Sequence, residues 1–118
     1  MVRAAEARDL SAALPVGDAP LEAHWLWGPA NSDSLDVAIV SVRPGGETSP
    51  HLHIGGQVIV ATAGRGFVEA NDDRIMIEAG DVVICPPGEL HVHGALADAS
   101  FAHLTITTGG YRFPGTEA

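Results

Sequence analysis

The chain has no lysine, only one cysteine and no long apolar run, and each shortage removes a class of protein. A single thiol, Cys85, can close no intrachain disulfide and can build no cysteine-rich zinc site. It lies in the apolar run Val82-Val83-Ile84-Cys85, where a thiol packs as a small hydrophobe. The 6 basic residues, all arginines, are scattered among 15 acids, for a net charge of −9. Phosphate neutralisation needs a basic patch, so nucleic acid is not an expected partner. The acids form no run and are expected to solubilise the surface. No stretch of about 18 apolar residues is present to cross a membrane. Glu6 and Asp9 interrupt the N-terminal stretch where a signal peptide would be basic and then apolar, so a soluble cytoplasmic protein is expected. A chain of 118 residues has room for one core and not for two.

What is present is glycine and proline at short, regular intervals from about Pro44 onward, with intervening segments rich in Val, Ile and Thr. That rhythm predicts an all-β sandwich or barrel. Strands are expected over 35–43, 57–62, 65–70, 74–78, 82–85, 90–94 and 100–107. Ala70-Asn71-Asp72-Asp73 suits a tight turn, because Asn and Asp tolerate left-handed backbone. Residues 1–30 read as a short irregular N-terminal arm, 31–108 as the barrel and 109–118 as a tail. Within the arm, Ala4 to Leu14 is expected as a helical turn. His24-Trp25-Leu26-Trp27 is expected as an edge strand laid over the barrel or onto a partner subunit, its tryptophans serving as core or interface anchors. In the tail, Tyr111 and Phe113 are expected to tuck against the barrel.

The histidines carry the functional signal. Residues two apart on a strand share a face, so His51 with His53, and His91 with His93, point the same way. In the last strand Phe101, His103, Thr105 and Thr107 share one face, and Ala102, Leu104 and Ile106 take the other. Five histidines in one small interior leave many imidazole nitrogens to satisfy. A divalent ion takes several of those lone pairs at once, and imidazole suits Mn, Fe, Co, Ni, Cu or Zn.

At this spacing the chain resembles the cupin superfamily, whose two short motifs line a small β-barrel. Gly45, His51, His53, Gln57 and Gly64 fit the first motif at every spacing, with Gln in place of the usual Glu. Gly80, Pro86, Gly88 and His91 fit the second, with Ala95 where Asn is usual. The resemblance implies a double-stranded β-helix, or jelly roll, with His51, His53, Gln57 and His91 as metal ligands. The glutamine, the pair His91 and His93, and the further His103 are similar to the small cupins that include the bacterial manganese-dependent hydroxynitrile lyases. That likeness implies Mn(II), with Fe(II), Zn(II), Ni(II) or Co(II) as alternatives, and catalytic roles for His103 and His93. It also implies a small-molecule substrate and a homodimer or homotetramer.

The glutamine has a physical meaning of its own. Three imidazoles, one amide and a divalent ion leave a centre of charge near +2, where a glutamate would leave about +1. The higher charge favours anionic ligands and acidifies a coordinated hydroxyl, and it makes the ion harder to oxidise. Lewis-acid chemistry is therefore expected ahead of oxygen activation. In the mechanism this suggests, His103 removes the hydroxyl proton of a hydroxynitrile or similar hydroxy-carbonyl compound, and a protonated His93 assists the leaving anion. The expected cavity is lined by Ala38, Val40, Val42, Ile59 and Phe101, with Thr48, Thr105 and Thr107 as hydroxyl donors. An Fe- or Ni-dependent dioxygenase, an isomerase or cyclase, and a non-enzymatic small-molecule binder are the other readings open to the same residues.

Overall fold

The computed structural model describes residues 8–9, 21–27 and 35–114, and among them there is no helix. The strands are β1 (Arg8–Asp9), β2 (Leu21–Trp27), β3 (Leu35–Val42), β4 (Leu52–His53), β5 (Gln57–Ala70), β6 (Asp73–Glu78), β7 (Val82–Cys85), β8 (Val92–Ala95), β9 (Phe101–Thr108) and β10 (Tyr111–Arg112). Eight of them form one continuous antiparallel system in the order β1-β2-β3-β9-β5-β6, with β7 and β8 also paired to β5.

β5 is what rolls this system into a barrel. Its first half, from Gln57, lies between β9 and β7, and its second half, from Gly66 to Ala70, lies between β8 and β6. Two strands, 57–62 and 65–70, were expected where the structure has this one. The glycines between them bend the strand and do not end it. Gly64 takes a φ of +72°, and the register with β9 shifts between Ala61 and Ala63, so a bulge carries the strand from one sheet into the other. At Gly66 a Cβ would lie 2.6 Å from the Phe101 ring, so only a residue without one lets the sheets close over that ring.

The β5–β6 hairpin turns as the sequence predicts. Asn71 and Asp72 have φ of 53° and 64°, and Ala70 pairs with Asp73, the geometry of a two-residue turn that matches strand twist.

The N-terminal stretch differs from expectation. Arg8 and Asp9, inside the segment read as helical, pair instead with Trp25 and His24; the rest of Ala4 to Leu14 lies outside the described residues. An isolated helix of that length is marginal in water, whereas the outer edge of β2 offers unpaired backbone groups. β2 is a strand as expected, but it sits between β1 and β3 and is not itself the edge. The side chains of His24, Trp25 and Trp27 lie outside the described ones.

Alternation sorts the side chains. Asp36, Ala38, Val40 and Val42 of β3, Gln57, Ile59 and Ala61 of β5, and Phe101, His103, Thr105 and Thr107 of β9 are all buried. The opposite faces are apolar too. Val58 pairs with Ile84 and Ile106, Val60 with Val82 and Leu104, and Ile106 and Leu104 pair onward with Val37 and Ile39. Two aliphatic rows thus cross four strands on the outside of the sheet, ending at Val82 and Ile84, which are 58% and 61% exposed.

Candidate metal centre

The two histidine motifs are joined backbone to backbone. His51 donates its amide to the His91 carbonyl at 3.0 Å, and His91 returns the bond at 2.8 Å. Farther along the same two segments, the Thr48 amide donates to the His93 carbonyl at 2.9 Å, and the His93 amide donates to the Thr48 hydroxyl at 3.2 Å. The segment ending in β4 therefore runs antiparallel to the start of β8 and points their side chains into one space. Gln57 enters from the first residue of β5, and His103 from β9 opposite Val40 and Ala61.

All five histidines are buried and packed ring to ring. The His51 ring centroid is 4.4 Å from that of His91, 5.1 Å from that of His53 and 5.1 Å from that of His93; His93 is in turn 5.0 Å from His103. Side-chain nitrogens of His51, His91 and His93 all come within 4.8 Å of one another, close enough to share one ion. His53, expected as a ligand ahead of His93, lies with its ring 5.6 Å from that of His91.

Hydrogen bonding fixes which nitrogen faces the cluster. The Nδ1 atoms of His51 and His91 lie 2.8 and 3.0 Å from the carbonyls of Ser49 and Glu89, which can only accept, so each ring donates there and turns a bare Nε2 inward. The Gln57 amide donates to the Thr105 hydroxyl, and this aims its Oε1 at His91 Nε2, 2.8 Å away. Two lone pairs thus face each other, an arrangement that a cation reconciles. A proton is a poor candidate, because burial lowers the basicity of His91. Burial, with help from neighbouring imidazoles, likewise brings His51 down to about 4 and His53 to about 3. Both nitrogens of His53, both of His103 and Nδ1 of His93 are buried without a hydrogen-bond partner. Orphaned nitrogens and converging acceptors fit a divalent ion held by imidazole and amide.

The deeper wall is formed by His103 and Phe101, with ring centroids 5.3 Å apart. Burial lowers His103 to about 4 and holds His93 well below its usual value, the latter also opposed by four neighbouring histidines. Of the expected cavity residues, Ala38, Val40, Val42, Thr48, Ile59, Phe101, Thr105 and Thr107 are all buried. Cys85 is buried beside Gln57, and its thiol is pushed up to about 11 by burial and then by Glu89, as suits an inert packed group.

Two features escaped sequence reasoning. Asp36 is only 2% exposed and faces inward in the same row as Thr107 and Gln57. Its alternation with Ala38, Val40 and Val42 was the signal that could have found it. The tail does more than tuck in. Tyr111 pairs with His53 through β10 and β4 and meets its ring edge-on at 6.2 Å, while the Phe113 ring lies 5.2 Å from that of His51.

A rolled antiparallel barrel with imidazoles and one amide gathered inside defines a class of small β-barrel protein able to hold a divalent ion. The chain belongs to the cupin family: a profile described as "Cupin domain" matches residues 38–107. It is 36% identical over 94 residues to an (R)-mandelonitrile lyase of Granulicella tundricola, an alignment covering 71% of this chain and 72% of that one. A cupin-like protein of Thermotoga maritima superposes with a TM-score of 0.75 at 28% identity, covering 86% and 87% of the two chains. A polyketide cyclase of Streptomyces resistomycificus shares the fold, with a TM-score of 0.77 at 18% identity over 99% of this chain and 86% of that one.

Proposed function

We propose that the protein is a metal-dependent lyase acting on a hydroxynitrile or a similar small hydroxy-carbonyl compound. The observation that carries this reading is the meeting of neutral acceptors at His91 Nε2 and Gln57 Oε1, 2.8 Å apart, in a cluster of uncharged imidazoles. His51, His53, Gln57 and His91 hold the ion, with Mn(II) favoured. Thr105 steadies the Gln57 amide. A divalent ion in a donor set without a carboxylate supplies Lewis-acid chemistry, lowering the pKa of a hydroxyl that it contacts.

The remaining steps belong to the chain. His103 is neutral above about pH 4, so it is always able to accept a proton, but it is a weak base and acts only on a hydroxyl already made acidic. It takes the hydroxyl proton; the oxygen's electron pair forms the carbonyl; the carbon–carbon bond breaks, and its pair leaves with cyanide. The proton passes on to cyanide, so the products are aldehyde and hydrogen cyanide. His93 was expected to assist as an imidazolium. Burial and the neighbouring imidazoles oppose that charge, so the part proposed for it is to donate an N–H to the departing nitrile. Ala38, Val40, Thr48, Phe101, Thr105 and Thr107, all buried, would wall the substrate site, and the likeness to an (R)-mandelonitrile lyase supports an aryl hydroxynitrile as the first substrate to try.

The deciding experiment is metal analysis of untagged protein, then mandelonitrile cleavage with Mn(II) and with chelator. Benzaldehyde release that needs the ion and falls by about a hundredfold or more in His103→Ala is expected. Its absence in both conditions would sink the lyase reading. We also place a second copy of the chain on the outer aliphatic rows, giving a homodimer that works in the cytoplasm.

A further inference from the structure

We infer that Asp36 selects the far end of the ligand: it is placed to receive an ammonium group on a small molecule whose oxygen function is held beside Gln57. The inference rests on the metal-centre reading for that oxygen, and on independent observations for Asp36. The carboxyl faces inward by the alternation of β3, is 2% exposed, and its Oδ1 has no hydrogen-bond partner. An ionised carboxylate left in that state is costly unless something completes it.

Nothing in the described protein does so. The chain has no lysine, and Arg43, Arg65, Arg74 and Arg112 are all exposed at the surface. Among the described residues no cationic side chain is buried beside it, which leaves a ligand or the ion as a source of countercharge. Position favours a ligand that joins the two ends. Asp36 pairs with Thr107, and Thr107 pairs with Gln57 on its other side, so Asp36 and Gln57 stand in one row two strands apart. At about 4.8 Å between strands their backbones are about 10 Å apart. Each side chain reaches inward, leaving a span of about four or five linked atoms between an oxygen beside Gln57 and a donor on Asp36. Tyr111, packed edge-on to His53, closes the same side, and its hydroxyl is raised by burial and then by the Asp36 charge. Burial raises the Asp36 carboxyl as well, and a bound ammonium would oppose that rise.

The chemistry is that of a small amino alcohol: a hydroxyl end for the neutral, ion-holding donors and a cationic end for the lone inward acid among the described residues. The test uses Mn(II)-loaded full chain and two probes that differ only in an ammonium for a methyl group, 4-aminobutan-1-ol and pentan-1-ol, titrated by calorimetry. The amino alcohol should bind about tenfold tighter or more. Asp36→Asn should erase the preference while leaving pentan-1-ol affinity, metal content and melting temperature unchanged. Asp36→Glu, which keeps the charge, should retain a preference and serves if the Asn variant does not fold. Equal binding of the probes by the wild type, no binding of the amino alcohol, or a preference that survives in Asp36→Asn would each overturn the inference. Repeating the pair on metal-free protein separates the two readings: pentan-1-ol affinity that is unchanged without Mn(II) would overturn the metal-centre reading alone, and an ammonium preference that persists there while vanishing in Asp36→Asn would support Asp36 independently of it.

Discussion

Gln57 is the residue on which the proposed chemistry turns. In the proposed centre it would offer an oxygen to the ion without adding a negative charge, and its hydrogen bond to Thr105 sets which end of its amide faces His91. Gln57→Glu should keep the metal, because a carboxylate is also a ligand, but it should weaken inhibition by azide or cyanide by about tenfold or more as the centre loses one unit of charge. Titration of both forms with azide checks it. His53 and His93 make a second residue-scale contrast. The motif spacing points to His53 as a ligand, whereas the side-chain nitrogens that gather within 4.8 Å of one another are those of His51, His91 and His93. If the motif is the better guide, His53→Ala will lose most of its metal and His93→Ala will retain it, as read by elemental analysis after dialysis. Asp36 belongs at this scale too, and it was overlooked because an acid at an inward parity is easily read as a strand-end surface residue.

Among the elements, β5 is where local sequence signals and the fold part company. Gly64 and Gly66 look like punctuation, and in isolation they would be. Non-local pairing overrides them: β9 and β7 hold one half of the strand while β8 and β6 hold the other, and no single-sequence pattern announces those partners. The Asn71-Asp72 turn was legible because, glycine apart, Asn and Asp are the residues that most readily take left-handed backbone. The inward faces of β3 and β9 were legible for a similar reason, since a period of two needs no knowledge of partners. The backbone pairing of His51 with His91 was not, being contact across a long chain separation; only the motif likeness linked the two in advance. The close approach at Gly66 gives this scale its prediction. Gly66→Ala puts a methyl group 2.6 Å from the Phe101 ring and should destabilise the protein by about 1–3 kcal/mol, seen as an earlier denaturant midpoint with little change in slope.

At the level of the whole molecule, the buried imidazoles tie stability to pH. His51 and His103 titrate at about 4 and His53 at about 3 in the fold, against 6.5 when exposed. Between those values the unfolded chain binds more protons than the native one, so the contribution is complete above pH 6.5 and is lost as pH falls toward 4. Metal-free protein should melt progressively earlier from pH 6.5 to pH 4 and change little above 6.5, and a bound divalent ion should deepen the acid loss by competing with protons for the same nitrogens. The other whole-molecule feature is the aliphatic outer face. Antiparallel sheets with one side in water normally alternate polar outward, and the rows from Ile84 to Val37 and from Val82 to Ile39 do not. Ile84→Lys, on the outer face of the sheet whose inner face carries Gln57, should shift the proposed dimer to monomer in light scattering while leaving the metal content intact. A wild-type monomer would remove the case for a second copy.

β5 has a last consequence, for how an ion could escape. Gln57 opens a 14-residue strand whose far end turns the hairpin into β6, and both sheets are pinned along it. Fraying usually begins where one element can detach alone. Here the residue that presents the amide is paired on both sides, to Cys85 and to Thr107, and so has no free edge from which to detach. Release of a bound ion would then be timed by opening of the barrel, making a loaded protein long-lived in chelator even where its equilibrium affinity is modest.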